Sequence, residues 1–212
     1  MPIDWSATGT MIGGLGGFAS AAAIVWAAHR ASDTLENWKR QKRSERKFEH
    51  AELVLSATTR VRHALEHMRS PLMQGFEIQN AERELSKIEE WDPAEDQRRR
   101  DIYGQALVNR IIETEADWDA LRETLPLAKA LFSDELESAI EELHQQRWIF
   151  RTYVDAYTDD RGDDREWSLE IRSNLNQTAR ELGDDRISTS VRSSIDAIER
   201  ICLPVLRADP RG

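Results

Sequence analysis

The sequence predicts an all-α protein: a single N-terminal transmembrane helix followed by an antiparallel helical bundle. Three observations carry this expectation. An uncharged run of bilayer length occupies 8–28. Apolar residues recur at helical spacing through the rest of the chain, and no stretch alternates apolar and polar residues over strand length. Charge is also partitioned, although the whole-chain figures (29 Lys/Arg, 39 Asp/Glu, net −10) hide it. Residues 30–47 carry seven basic and three acidic side chains, and 48–212 carry 22 basic and 35 acidic ones. The chain divides accordingly into an anchor at 1–29, a basic juxtamembrane segment at 30–47, a cytoplasmic helical bundle at 48–207 and a tail at 208–212.

The run TGTMIGGLGGFASAAAIVWAA at 8–28 would rise about 31 Å as a helix, the thickness of a hydrocarbon core. Trp5 and Trp26 stand near its two ends, where indoles favour the interface. Basic residues follow the run and Asp4 precedes it, so the positive-inside rule puts the N-terminus outside and the rest in the cytoplasm of a bacterial inner membrane. A cleaved signal peptide fits less well, because the leading MPID is not basic and the uncharged stretch is long. A buried soluble helix is the other alternative, since Ala and Gly are only weakly apolar. Gly9, Gly13, Gly17 and Ala21 recur every four residues and predict a smooth ridge on which two such helices could pack, hence a homo-oligomer. Five glycines within nine positions make such spacing easy to obtain by composition alone.

The collar KRQKRSERK at 39–47 supplies Lys39, Arg40, Lys42, Arg43, Arg46 and Lys47. Placed just past a membrane exit, these six would attract the anionic headgroups of the inner leaflet, at about 1 kcal/mol each. Nucleic acid is not expected as a partner: the remainder is strongly acidic and carries no reader motif.

The helical segments follow in order. The first runs over 33–70 with stripe Phe48, Ala51, Leu55, Thr58, Val61, Leu65 and Met68, and Ser70-Pro71 stops it. The second spans 74–91 with Ile78, Ala81, Leu85 and Ile88. Asp92-Pro93-Ala94-Glu95 then reads as a cap opening a third segment that runs to about Leu125, where Pro126 breaks it. Ser133 caps a fourth, with Leu136, Ile140, Leu143, Phe150 and Val154. TDDRGDD at 158–164 is a loop, and Asp163 with Glu166 predicts the next capping box. The fifth segment carries Trp167, Ile171, Leu175 and Leu182 before Gly183. The last carries Ile187, Val191, Ile195, Ile198, Cys202 and Val205 and ends near Pro204. One apolar stripe per segment requires the segments to pack on each other.

Chemistry-bearing patterns are sparse. His63-Ala64-Leu65-Glu66-His67 matches H-x-x-E-H, in which two histidines four apart could grip zinc while the glutamate activates water. His63, Glu66 and His67 are thus weak metal candidates for a zinc hydrolase. The match covers five residues, and Arg60, Arg62 and Arg69 around it disfavour a cation. The aspartates at 159, 160, 163 and 164 lack the order of a calcium loop. Cys202 sits on an apolar stripe with no histidine near it, and a lone cysteine excludes a disulfide framework. No Gly-rich phosphate loop occurs. The expected function is therefore a membrane-anchored module without catalysis or cofactor, acting as scaffold or sensor through an unknown protein partner. The alternative is an oligomeric, pore- or toxin-like membrane effector assembled on the Gly ridge.

Overall fold

The computed structural model describes residues 5–176 and 185–208, with side chains described at Trp26 and from Leu35 onward. The regular elements among them are α1 (Trp5–Met68), α2 (Gly75–Leu85), α3 (Glu95–Glu113), α4 (Glu115–Arg122), α5 (Leu125–Leu131), α6 (Asp134–Asp159), α7 (Arg165–Leu175) and α8 (Arg186–Arg207). No strand occurs among the described residues, so the fold is all-α. The chain divides into two compact units, Met1–Arg46 and Lys47–Gly212.

The predicted span at 8–28 falls on the backbone of α1, but its side chains other than Trp26 lie outside the described residues. Among the described residues no helix is long and apolar enough to cross a membrane, so the predicted transmembrane helix gains no support from the structure. The physical reason is plain for the described part of α1. From Leu35 to Lys47 it is largely exposed and charge-rich, and from His50 onward most of its apolar residues form a one-sided stripe facing protein, with Leu53 left exposed.

That stripe is Ala51, Val54, Ala57, Val61, Leu65 and Met68, spaced three and four apart and all buried. The helix ends where proline dictates. Arg69 and Ser70 still donate backwards to Leu65 and His67, and Pro71 has no N–H to continue.

Around this stripe the bundle closes on α6. Leu136, Ile140, Leu143 and Phe150 are fully buried along α6, each contributing about 1.5–3 kcal/mol of apolar burial. The helix packs against α3, α4, α5, α7 and α8. Ser133 caps it as predicted, its Oγ accepting from the Leu136 N–H at 3.4 Å. Gly104 lets α3 approach α6, because a Cβ there would collide with the Thr158 methyl.

Several predicted boundaries move. The second segment stops at Leu85 rather than Trp91, and Ile88 is exposed instead of joining the stripe. The third segment breaks at Thr114, whose hydroxyl turns back to donate to the Arg110 and Ile111 carbonyls. Ala94 occupies the position before its first turn, and no side chain caps it, so the predicted Asp92 cap is not formed. Asp164, one residue after the predicted Asp163, caps α7 by accepting from the Glu166 and Trp167 N–H groups. Leu182 and Gly183 lie outside the described residues. Pro204 sits inside α8 and does not end it.

Two buried arginines fasten the end of α1. Arg110 on α3 donates to Glu77 Oε1 at 2.6 Å and Oε2 at 3.1 Å, and to the carbonyls of His67, Ser70 and Leu72 at 3.2, 2.8 and 2.7 Å. The Ser70 and Leu72 carbonyls belong to the turn after the helix, and the His67 carbonyl, which already accepts from the Ser70 N–H, takes a second bond. Arg69 donates to the Asn174 carbonyl at 3.0 Å, Ser188 Oγ at 2.8 Å and the Ser173 carbonyl at 3.3 Å, and pairs with Asp185 at 2.9 Å. Replacing Arg110 by Met should cost about 3–5 kcal/mol in urea unfolding, because Glu77 and the Ser70 and Leu72 carbonyls lose this donor. The double change E77Q/R110M should recover a measurable part of that loss; a double variant no better than R110M would show the carbonyls alone carry the cost.

Candidate functional site

The H-x-x-E-H residues occupy the last turns of α1. His63, Glu66 and His67 are all exposed. Glu66 Oε1 lies 3.4 Å from Arg62 Nε, and His67 Nε2 lies 3.5 Å from Glu113 Oε2 on α3. The guanidinium therefore occupies the carboxylate that a metal or water would need. Among the described residues no group of three His, Cys, Asp or Glu side chains converges in a metal-holding arrangement.

A cleft of about 350 Å³ opens beside this stretch, between α1 and α8. Its apolar floor is Leu65, Ile187, Val191 and Ile195, with the buried Arg69 at one end. Arg62 and Glu66 stand on the α1 rim, and Asp196 and Glu199 on the α8 rim. Neither Asp196 nor Glu199 has an ion-pair partner among the described residues. The cleft thus has an apolar floor between charged rims.

The collar lies on α1, and its six cations are not equivalent. Arg40 pairs with Glu36 at 3.7 Å and Lys42 with Glu45 at 2.7 Å. Lys47 belongs to the bundle unit and holds its Nζ 5.6 Å from the centre of the Phe132 ring. Lys39, Arg43 and Arg46 are exposed and have no ion pair among the described residues. The ridge residues Gly9, Gly13, Gly17 and Ala21 share one helical backbone at four-residue spacing, and their side-chain surroundings lie outside the described residues.

The acidic loop spends its carboxylates locally. Asp160 accepts from Ser168 Oγ at 2.6 Å and from the Gly162 N–H at 2.9 Å, which together hold its carboxyl below the usual range. Asp164 is the α7 cap. Burial pushes the Cys202 thiol up to about 11, so at neutral pH it is a protonated core side chain and not a nucleophile.

Sequence reasoning missed Arg69 and Arg110 as buried groups, and missed the cleft. Helical spacing held the signal: Arg69 falls four residues after Leu65, and Arg110 lies between the buried Leu107 and Ile111. His50 and His144 were also not singled out. His50 is 3% exposed, and neither ring nitrogen has a hydrogen-bond partner. Its ring packs 6.1 Å from that of Phe132. Burial pushes its pKa down, offset in small part by the Thr124 carbonyl. His144 stacks edge-on against Trp118 and is also pushed down, by burial first and then by Arg122 and Arg147. A histidine lowered in the folded state contributes stability that is present above its ordinary value of 6.5 and is lost as pH falls through that value, when the unfolded chain takes up the proton first. Stability should therefore fall from pH 7 to pH 5, and His50→Phe should flatten part of that slope in urea titrations. An unchanged slope would mean that His50 takes up its proton as readily in the folded chain as in the unfolded one.

Comparison with protein-family models, with curated proteins and with solved structures found no match. The functional reading therefore rests on the geometry above.

Proposed function

We propose that this chain is a membrane-tethered helical module that works through protein contacts at the bacterial cytoplasmic membrane and performs no catalysis. The observation that carries the reading is the division between the two units. The described core residues, from Ala51 to Leu206, all belong to Lys47–Gly212. The uncharged run at 8–28 lies in the other unit, Met1–Arg46. That run has bilayer length, and the collar follows it. In this reading the run is the single span, the N-terminus is outside, the bundle is cytoplasmic, and the α1/α8 cleft is where a protein partner docks.

The oligomeric effector is the competing reading, supported by the four-residue spacing of Gly9, Gly13, Gly17 and Ala21 on one helix. Two measurements decide. The full chain should remain in the membrane pellet after a high-salt and alkaline wash; recovery in the soluble fraction without detergent sinks the tether. Replacing Gly13 and Gly17 by Leu should leave that pelleting unchanged. If overproduced wild type dissipates membrane potential and the Leu variant does not, the effector reading replaces the scaffold. Metal analysis of the purified chain should find less than stoichiometric zinc; one zinc per chain, lost on His63→Ala, would restore the hydrolase reading.

A further inference from the structure

We propose that a narrow stripe of α1, Lys39, Arg43 and Arg46 with Leu35 at its head, is the face that reads an anionic phospholipid surface, while the other three collar cations serve the fold. This rests on the membrane reading above and narrows it to named residues and a lipid class.

At 100° per residue, Leu35, Arg46, Lys39 and Arg43 fall within an arc of about 80°. All four are exposed, and Leu35 is 51% exposed although apolar. The three cations have no carboxylate partner among the described residues. Arg40 and Lys42 lie on either side of the stripe, and each is drawn to an acid, Arg40 to Glu36 and Lys42 to Glu45. Lys47 is held over Phe132. The helix has thus sorted its cations into those neutralised or occupied by the protein and a stripe whose charge is uncompensated.

Trp38 stands beside the stripe on the Lys42 side, 56% exposed. A cation stripe alone would suit any polyanion. Exposed Leu and Trp at its edge suit a bilayer interface, where an indole and an aliphatic chain enter the headgroup layer while guanidinium groups hold phosphates. A duplex offers no such apolar layer, and the unit of 166 residues that follows in sequence is strongly acidic.

The test uses the full chain, mixed with preformed vesicles of phosphatidylcholine alone or with phosphatidylglycerol, and measures flotation at low and high salt. The stripe requires tighter binding to the phosphatidylglycerol vesicles, with the preference abolished by high salt. R43Q/R46Q should lose about thirtyfold of that preference, and R40Q/K42Q, which removes the same charge, should lose far less. Circular dichroism should report the same helix content for both. Equal losses in the two variants would mean net charge alone acts and would overturn the stripe. Displacement from the vesicles by soluble polyphosphate at matched phosphate concentration would also overturn it, because the partner would then be a soluble polyanion. Equal binding to both vesicle types overturns the stripe and leaves the tether. Binding to phosphatidylglycerol vesicles alone, fully reversed by salt, keeps the stripe and removes the tether.

Discussion

The bundle depends on how the end of its first helix is held. A helix ended by proline leaves carbonyls without donors, and here they are turned into protein rather than water. Arg110 donates to the Ser70 and Leu72 carbonyls, adds a second bond to the His67 carbonyl, and turns its remaining N–H groups to Glu77. Glu77 in turn accepts from the Gln74 backbone N–H at 2.6 Å at the start of α2. One side chain of α3 therefore fixes the end of α1, the turn after it and the start of α2. The Arg110 guanidinium first, and then the Gln74 N–H, hold the Glu77 carboxyl below its ordinary range against the opposing effect of burial.

Arg69 does the corresponding work on the other side. It reaches the last turn of α7 and the first turn of α8, joining elements about a hundred residues away in sequence. Burial pushes the Asp185 carboxyl up, yet the Ser188 N–H and hydroxyl, together with Arg69, leave it below its ordinary value. Such an arrangement is costly to desolvate and gains little over an apolar substitute in stability, but it has one register only. A leucine at 69 could slide along α8. A guanidinium that must find two carbonyls, a hydroxyl and a carboxylate cannot. The cleft beside it inherits that rigidity, because Arg69 and Ser188 line it.

Much of this fold could be read from residue order. Ser133 caps α6 because a short hydroxyl side chain before three acidic residues and an apolar stripe has few other uses. The stripes of α1, α6 and α8 emerge from spacing alone. The misplacements share a cause. Thr114 carries no Gly or Pro signal, and its power to end α3 comes from being buried, where its hydroxyl turns back on its own helix. Ile88 fits a helical stripe by spacing, but the chain leaves the helix at Ser86, whose hydroxyl donates to the Arg83 carbonyl. Asp163 and Asp164 are equivalent as symbols, and only the loop geometry chooses between them. Residue type misled at Arg69: its charge suggested surface, whereas its position on the stripe of Val61 and Leu65 was the better guide. For the candidate site, the H-x-x-E-H pattern was visible and the Arg62 pairing that occupies its glutamate follows from four-residue spacing. The cleft could not be read, because it belongs to two helices more than a hundred residues apart.

The same rule of spacing separates the arginines by task. Along α1, Arg43 and Arg46 look outward without a carboxylate in reach, whereas Arg69, 23 residues beyond Arg46, is 2% exposed. Between them lies the one point where the chain changes from a unit rich in exposed charge to one with a closed core, at Lys47. Lys47 and His50 both approach Phe132 there, one as a cation over the ring and one as a buried neutral imidazole. A positive charge on His50 would add a second cation beside the same ring in a buried place, and burial favours the neutral form there.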